Sequence, residues 1–371
     1  MKLEIAVLPG DGIGPEITNQ SIKVLKAIEQ RFDHEFKFTF GSIGADGMEN
    51  HGTPLPKETE KLCYHADAIL YGACGDPKFA TDPMAEQRPE QGILKLRRIL
   101  GLHTNIRPIK TYNALLHCSS LKQEVIRGVD FVIFRELTGG IYYSPKEIYK
   151  EEERAMDICS YSEQEIERIA IPAFQAALKR KKKITLVDKS NVLMTSKLWR
   201  KKVLEISKEF PEVELDFMYI DNAAMRLIQN PREFDVILTE NMFGDILSGQ
   251  GAMIAGSIGL LASASIGDTA CLFEPIHGSF PSAAGKNTAN PLGSILSAAM
   301  LLEHFKLETE AGIIRKAIDL SINMNLCTQD LNVHDHYSTA NVGNFICNYI
   351  LEENSDLGNR ENMSFGQSTI I

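Results

Sequence analysis

Two aspartates have a position in the sequence that suits binding of a metal ion. Asp245 lies in the stretch 235–249, DVILTENMFGDILSG, where an apolar run predicts a buried strand and Asp245 falls in the first turns of the helix predicted to follow it. Asp221 also follows an apolar run, 215–220, and precedes a helical pattern. Open α/β sheets bind ligands at strand ends, where two carboxylates can share one hard divalent cation. The alternative for each aspartate alone is stabilisation of a helix N-terminus.

Three arginines are candidates for binding a small acid. Arg97 lies in a predicted helix, Arg107 near the end of the strand that follows it, and Arg135 at the end of the apolar run 130–134. Three planar guanidinium groups aimed at one place suit a substrate with more than one carboxylate. For each arginine alone, a surface ion pair is the alternative.

A lysine and two glycine-containing loops complete the candidates. Lys189 follows the predicted strand 184–187, and an ammonium placed among arginines and a metal ion can lose its proton and act as a general base. A lysine at a sheet edge is the alternative. The loop 10–16, GDGIGPE, fails the dinucleotide pattern because Pro15 stands where glycine is needed, so a ligand loop and a structural turn both remain open. The loop 274–291 is not a P-loop but could hold the adenosine end of a nucleotide.

Strands and helices alternate along the chain, which predicts an α/β fold with a parallel sheet covered on both faces. The predicted strands and helices of the first part are 2–9, a helix to about 31, 35–40, 57–65 and 68–71, and the later helices are 163–180, 292–305, 308–324 and 339–351. The loop 76–90 is long enough to be functional. The charged segment 142–157 is either an arm that pairs with a second subunit or a plain surface hairpin, and the tail from Glu352 is predicted to be poorly ordered.

Composition excludes several classes of protein. The chain of 371 residues has room for two domains, and its net charge of −10 argues against nucleic acid as a partner. Seven cysteines without a C-x-x-C pair predict a reduced, cytoplasmic protein. The uncharged run 246–267 is long enough to span a bilayer, but its many Gly and Ser residues favour a buried helix and loop, so no membrane is expected.

Seven segments in this order resemble the isocitrate/isopropylmalate dehydrogenase family of β-hydroxyacid oxidative decarboxylases. They are LPGDGIGPE, NIRP, RELTGGIY, VDKSNVL, YIDNAAM, NMFGDILS and EPIHGS, and the match runs from Ile5 to about Ile350. The resemblance implies a two-domain α/β fold with the second domain inserted into the first. A cofactor-binding domain would comprise 1–101 and 256–371, and a substrate, metal and dimerisation domain 102–255, with a dimer arm at about 140–161. It also implies a homodimer with shared active sites.

The resemblance further implies NAD-dependent oxidative decarboxylation of 3-isopropylmalate to 4-methyl-2-oxopentanoate, on the path to leucine. The three arginines would hold the malate carboxylates. Asp221 of one subunit and Asp245 of the other would hold Mg²⁺ or Mn²⁺, which chelates the C2 oxygen and the C1 carboxylate. Lys189, also from the partner subunit, would take the C2 hydroxyl proton, and Tyr142 would help to deliver the proton that ends the reaction. The implied cofactor-binding residues are Ile13, Gly72, Ala73, Gly75, Glu90, His277, Gly278, Ser279, Ser282, Ala283, Gly285, Ala289, Asn290 and Asp330.

Substrate choice can be tested on the helix before Arg97. In this family that helix faces the variable group of the substrate, and Ile93 and Leu94 stand there, with Glu90 just ahead. Aliphatic side chains favour an isopropyl group and would leave the third carboxylate of isocitrate unpaired. Homoisocitrate, tartrate and other 3-substituted malates remain alternatives.

Two departures from the family pattern concern the ligands. Gly249 stands where a further aspartate is usual in the metal motif, which predicts weaker metal binding or a water in its place. Ser282 and Ala283 replace an Asp and an Ile in the adenosine loop, so an acceptor for the ribose hydroxyls is lost, although no Lys or Arg replaces it to favour NADP. These departures motivate one further alternative, a catalytically weak or non-enzymatic binder of carboxylate ligands.

Overall fold

A computed structural model describes residues 1–79, 81, 85–149 and 153–352 of the chain. Its strands are β1 Lys2–Gly10, β2 Glu35–Phe40, β3 Ala68–Ala73, β4 Thr104–Lys110, β5 Asp130–Glu136, β6 Lys146–Tyr149, β7 Arg154–Asp157, β8 Lys183–Asp188, β9 Glu214–Tyr219, β10 Val236–Thr239, β11 Ala262–Ile266 and β12 Cys271–Pro275. Its helices are α1 Gly14–Phe32, α2 Ala45–His51, α3 Lys57–His65, α4 Glu90–Ile99, α5 Gln123–Ile126, α6 Glu163–Leu178, α7 Met194–Ser207, α8 Ile220–Gln229, α9 Asn241–Ala255, α10 Leu292–His304, α11 Glu308–Asn323 and α12 Thr339–Glu352.

One large sheet runs through the described part of the molecule, in the order β2-β1-β3-β12-β11-β4-β5-β10-β8-β9. Its outer strands pair in parallel, as the alternation of strands and helices predicted. The pairs β12–β11, β11–β4 and β4–β5 are antiparallel. The α/β class is therefore confirmed, while the parallel sheet expected throughout is corrected at its centre. There β11 and β12 form a hairpin, which needs only a short turn.

The strand order divides the sheet into two halves along the chain. Strands from 2–73 and 262–275 form the half that ends in β2, and strands from 104–239 form the half that ends in β9. This order agrees with the boundaries expected for an inserted domain, which itself stays a prediction.

Apolar helix faces cover the sheet and fix its position. β3 is buried at every residue, and α10 buries the continuous run 292–302 against α1, α11 and strands of the first half. α6 begins with a capping box in which Ser162 and Glu165 satisfy each other's backbone amides, and it packs on α7 and the second half. Burying side chains of this kind stabilises the fold by about 1.5–3 kcal/mol each.

The uncharged run 246–267 forms a helix and a loop, as predicted, but the helix is buried on one face only, because Ile246 and Met253 are exposed. It forms the end of α9, a left-handed residue at Gly256, a short turn and β11. Throughout the described residues, no helix combines the length and the apolar character that a membrane span requires.

The charged segment near 150 forms an antiparallel hairpin of β6 and β7, with Ile148 and Met156 exposed on it. A hairpin was one of the two expected forms, and whether it pairs with a second subunit stays a prediction. Its residues 150–152, part of the loop 76–90 (80 and 82–84) and the tail 353–371 lie outside the described residues.

Candidate active site

Arg107 and Arg135 converge on the carboxylate of Asp245. Arg135 Nη1 lies 2.6 Å from Asp245 Oδ1, and Arg107 Nη1 lies 3.2 Å from the same oxygen. The two arginines are neighbours because β4 and β5 pair directly. Arg107 was expected near the end of its strand, but it lies in the middle of β4. Both guanidinium groups are buried, whereas the Asp245 side chain is 43% exposed. The site can therefore receive a ligand on the side of the aspartate.

The third arginine, Arg97, has a buried acidic partner that sequence reasoning did not identify. Arg97 Nη2 in the last turn of α4 lies 2.7 Å from Glu274 Oε1 in β12. Glu274 is 4% exposed in a strand that is otherwise apolar, CLFEP. A buried carboxylate needs a cation or several donors, so an acid inside that apolar run was the signal available in the sequence.

Burial and neighbouring charges shift the pKa values of the arginines and of Asp245. Burial, reinforced by Arg135, lowers the pKa of Arg107 to about 9, and Arg97 acts on it in the same direction. Arg107 thus stays charged at neutral pH. Burial acts to lower the pKa of Arg97 as well, but the Glu274 carboxylate outweighs burial and holds that pKa above its ordinary value. Burial acts to raise the pKa of Asp245, and Arg135 and Arg107 more than compensate for it, so this pKa lies below its usual value.

Tyr142 lies on the same aspartate as the arginines. Its hydroxyl donates to Asp245 Oδ2 at 3.2 Å, and the Arg135 guanidinium lies 5.7 Å from the centre of its ring. Burial and the Asp245 carboxylate raise the pKa of Tyr142, so the phenol keeps its proton at neutral pH. A protonated hydroxyl at this place can donate a proton to a neighbouring group.

Lys189 and Asp221 form a second, separate pair. Lys189 Nζ lies 2.7 Å from Asp221 Oδ1 because Lys189 follows β8, Asp221 begins α8, and β8 pairs with β9. The hydrogen bond from Lys189 lowers the pKa of Asp221, whose side chain is 65% exposed. A cavity next to Arg97 and Arg107, described below, has neither Lys189 nor Asp221 on its described wall. Within one chain, this pair therefore does not line that cavity.

A cavity of about 160 Å³, called here the inner cavity, lies beside the arginines. Its charged wall is formed by Arg97, Arg107 and Glu274. The apolar wall includes Ile93, and the remaining lining residues are Tyr71, Ala73, Cys74, Ser263 and 275–278. Leu94, expected to face the same place, is not part of the described wall, and its carbonyl instead accepts from Tyr143 Oη at 3.2 Å. Neighbouring residues of a helix point about 100° apart, so only one of the two can face the cavity.

A larger cavity of about 420 Å³, the outer cavity, adjoins the inner one and shares His277 and Gly278 with it. His277 Nδ1 lies 2.9 Å from the Gly278 carbonyl, which can only accept, so Nδ1 carries the proton and Nε2 is an acceptor. Nε2 is buried and, within the described residues, has no hydrogen-bond partner. Burial lowers the pKa of His277, so its ring is neutral at neutral pH.

The residues predicted to bind the cofactor fall into several places. The outer cavity is lined by six of them, namely Ile13, His277, Gly278, Ala289, Asn290 and Asp330, and Ala73 lines the inner cavity. Ser279 Oγ donates to the Gly75 carbonyl at 2.5 Å, and a Cβ at Gly75 would lie 3.0 Å from the Glu90 carboxylate. These three residues therefore adjoin the cavities without being on their described walls.

The remaining predicted cofactor residues have other surroundings. A Cβ at Gly72 would lie 2.2 Å from the Pro9 carbonyl, so this glycine allows β3 to pack closely against β1. Ala283 is buried next to Ile13 and Ile17. Ser282 is exposed, and Gly285 is in the left-handed region at φ +71°.

Asp11 organises the loop after β1, a role that the sequence did not reveal. Its carboxylate accepts from the backbone amides of Ala45, Asp46 and Gly75 at 2.8–2.9 Å. The loop is thus a structural turn at Asp11 and a cavity wall at Ile13, which combines the two alternatives that the sequence left open.

No cluster of three or more His, Cys, Asp or Glu suited to a metal ion occurs within the described residues of this chain. Asp245 and Asp221 supply the carboxylate oxygens that a hard divalent cation prefers, but they belong to the two separate groups. A Cβ at Gly249, one turn after Asp245, would meet nothing within 4 Å, so the position of the missing aspartate is open space.

An α/β sheet that brings the buried Arg97 and Arg107 to the wall of a small cavity, next to a larger and mainly apolar one, has the arrangement expected of an enzyme that binds a small organic acid beside a second ligand. The isocitrate/isopropylmalate dehydrogenase model matches residues 4–346, and the chain belongs to this family.

Relatives and solved structures agree with this assignment. The chain is 49% identical to a 3-isopropylmalate dehydrogenase of Bacteroides fragilis over 94% of its own length and 99% of that protein. It is 50% identical to a 3-isopropylmalate dehydrogenase of Thermotoga maritima, with the same shares of each chain covered. The crystal structure of isocitrate dehydrogenase from Methylococcus capsulatus superposes with a TM-score of 0.84 at 32% identity, over 94% of this chain and 100% of that one.

Proposed function

We propose that this protein oxidises and decarboxylates (2R,3S)-3-isopropylmalate with NAD, giving 4-methyl-2-oxopentanoate, CO₂ and NADH in leucine biosynthesis. The observation that carries the proposal is the inner cavity, which presents guanidinium groups on one wall and the aliphatic Ile93 on another. Relatives of about half identity that bear the name 3-isopropylmalate dehydrogenase support it.

The arginines bind and orient the two carboxylates of the substrate. In the free protein their partners are Asp245 and Glu274, so the guanidinium groups are already fixed in direction before the substrate arrives. Preorganised charges of this kind stabilise a bound anion at little cost in reorganisation. The substrate carboxylates then either displace Asp245 and Glu274 from the guanidinium groups or bind to the same guanidinium groups beside them.

The apolar wall selects the alkyl group. Ile93, 5% exposed, offers the isopropyl group an aliphatic contact that is worth about 1–3 kcal/mol per group. The third carboxylate of isocitrate would lose its hydration there without a partner, at a cost of several kcal/mol. This wall favours a 3-alkylmalate over isocitrate.

The outer cavity fits the adenosine end of NAD. The buried, unpartnered Nε2 acceptor of His277 suits an amino or hydroxyl donor of such a ligand. The described wall of this cavity contains Asp330 and no Lys or Arg, so nothing on it would neutralise a 2′-phosphate. The proposal is therefore NAD and not NADP, although Ser282 supplies no acidic acceptor for the ribose.

The divalent cation and the second subunit are proposed together. Asp245 of one subunit and Asp221 of the partner subunit would hold Mg²⁺ or Mn²⁺, which explains why one chain alone keeps the two aspartates in separate groups. Exposed apolar side chains on the paired helices α8 and α9 support a homodimer: Met225, Ile228, Ile246 and Met253. The hairpin of β6 and β7 would be its arm.

Two side chains move protons in this scheme. Lys189 of the partner subunit accepts the proton of the C2 hydroxyl, and Tyr142, which keeps its proton at neutral pH, donates the proton that completes the product. When bound, NAD would supply the hydride acceptor, and the divalent cation would supply positive charge that stabilises the developing negative charge on the substrate.

The proposal places the protein in the cytoplasm. All seven cysteines are unpaired, three of them buried, which supports a reducing compartment such as the cytoplasm.

Steady-state kinetics test the proposal. NADH formation is followed by absorbance with isopropylmalate, isocitrate, homoisocitrate, tartrate and malate, using NAD and NADP with and without EDTA. The proposal expects isopropylmalate with NAD to give the highest kcat/KM, a turnover of about 1–1000 per second, and loss of activity with EDTA. Higher kcat/KM for a malate without the branched chain would refute the substrate, and absence of turnover with every acid would favour a carboxylate-binding protein.

Lys189→Ala separates catalysis from binding. The variant should lose hydride transfer, while NADH binding measured by fluorescence stays close to that of the wild type. Residual turnover within tenfold of the wild type would contradict the role of general base.

A further inference from the structure

Phe280 has an unusual backbone conformation for a large aromatic residue. Its φ of 38° and ψ of 63° lie in the left-handed region, where bulky residues are rare. The other residues with positive φ in the described part of the chain, glycines apart, have polar side chains: Asp33, Glu153, Lys182, Asn287, Lys306 and Asn325. Phe280 is therefore the one apolar side chain that the described fold holds in this way.

The neighbouring loop residues fix that conformation. The Ser279 carbonyl accepts from Ile13 N at 2.7 Å, and the Phe280 carbonyl accepts from Ala283 N at 3.0 Å at the start of the short helix 281–283. Glycine or asparagine would meet the same backbone requirement with less strain. The loop geometry thus does not explain why phenylalanine occupies this position.

Packing does not explain it either. The Phe280 side chain is 61% exposed, and it forms part of the wall of the outer cavity. Ile258, 41% exposed, and the buried Ile13 lie on the same wall. Strained residues that persist without a gain in burial are typical of ligand sites, and an exposed aromatic beside aliphatic groups suits a flat, apolar ligand.

The orientation of the dinucleotide determines which of its rings reaches this wall. The nicotinamide must contact C2 of a substrate held by Arg97 and Arg107, so it belongs at the inner cavity. The two cavities meet at His277 and Gly278, so the rest of the dinucleotide extends from there into the outer cavity. The ring that reaches Phe280 is then the purine.

We infer that Phe280 stacks on the purine of the dinucleotide and is a major determinant of its affinity, taking over part of the binding that an acidic residue at 282 would supply through the ribose. This inference rests on the proposed function, because it requires that the outer cavity receive NAD. Stacking of a base on an aromatic side chain lowers the Kd of a ligand by about five- to a hundredfold.

Titration of the full-length protein with NADH and with reduced nicotinamide mononucleotide, which lacks the adenosine, tests the inference by fluorescence. Phe280→Ala should weaken NADH about five- to a hundredfold and leave the mononucleotide unchanged, while Phe280→Trp should restore NADH binding. The matched control is Phe40→Ala in β2, which removes another exposed phenylalanine (62%) away from both cavities and should change neither Kd. NADH binding within twofold of the wild type in Phe280→Ala, or an equal loss for both ligands, would overturn the inference.

The variant Phe280→Gly distinguishes a role of Phe280 in NADH binding from a role in the stability of the fold. Because glycine adopts positive φ freely, the melting temperature of this variant should equal or exceed that of the wild type, while NADH binding falls as in Phe280→Ala. A lowered melting temperature with unchanged NADH affinity would show that Phe280 serves the fold and would overturn the inference. A wild-type protein that binds no NADH would instead refute the proposed function.

Discussion

Glu240 is a buried carboxylate that pairs with no cation in the described part of the chain, and its replacement tests the electrostatics of the sheet. It follows β10, which lies between β5 and β8. At the ends of those two strands, Glu136 accepts from Arg168 at 2.9 Å and Asp188 accepts from Arg200 at 2.8–2.9 Å. Glu240 Oε2 is buried and has no hydrogen-bond partner among the described residues.

Burial, reinforced by Asp188 and Glu136, raises the pKa of Glu240 from 4.5 to about 7. The folded protein therefore binds more protons than the unfolded chain between pH 4.5 and 7, and the free energy of unfolding falls as the pH rises through this window. At about 1.4 kcal/mol per pH unit, the full effect is roughly 3 kcal/mol. Glu240→Gln keeps the shape and removes this charge, so it should stabilise the protein by about 2–3 kcal/mol more at pH 8 than at pH 5.

Urea denaturation of both proteins at pH 5, 6, 7 and 8 measures this difference. The exposed Glu209→Gln variant controls for the loss of one negative charge and should show no comparable trend with pH. A difference between Glu240→Gln and the wild type that stays constant from pH 5 to pH 8 would refute the reasoning, because the carboxyl would then titrate alike in the folded and unfolded states.

Further predictions concern the arginine site. Gly249→Asp places a carboxylate in open space one turn after Asp245 and should tighten Mn²⁺ binding in a calorimetric titration; unchanged affinity would mean that position 249 is not near the ion. Tyr142→Phe should slow decarboxylation more than oxidation when the two half-reactions are assayed separately, and equal losses would contradict its role as proton donor. Glu274→Gln leaves Arg97 with a neutral acceptor, so it should lower the free energy of unfolding by about 1–3 kcal/mol in urea. Unchanged stability would show that the buried pair contributes nothing.

Local pattern was sufficient to predict most elements. The strand 35–40 and the helix 57–65 have the predicted bounds, because alternation and helical spacing are properties of neighbouring residues. The position of Asp245 in the first turns of a helix was predicted from the same kind of information. The choice between Ile93 and Leu94 was not available, since it depends on how α4 is rotated against the sheet.

Long-range partners could not be predicted from pattern. Arg97 and Glu274 are 177 residues apart in the sequence, and their contact depends on the placement of α4 beside β12. Asp11 likewise finds its donors in the loop at Ala45 and at Gly75. The antiparallel centre of the sheet could not be predicted either, because the order and direction of the strands depend on how distant segments of the chain pack together and not on the sequence of any one strand.

Three residues of the motif NMFGD at 241–245 contact Arg135, which explains why these residue types stand there. Asn241 Oδ1 accepts from Arg135 Nε and Nη2 at 3.1 and 2.7 Å, and Asp245 accepts from Nη1 at 2.6 Å. A Cβ at Gly244 would lie 2.6 Å from Arg135 Cγ, so only glycine lets the arginine pass along this turn of α9. Asn241, Gly244 and Asp245 thus form a receptor for one guanidinium group, and the direction of Arg135 is set before any ligand binds. Because the same helix turn carries both Asn241 and Asp245, the direction of Arg135 and the charge of Asp245 are coupled through this one turn of α9.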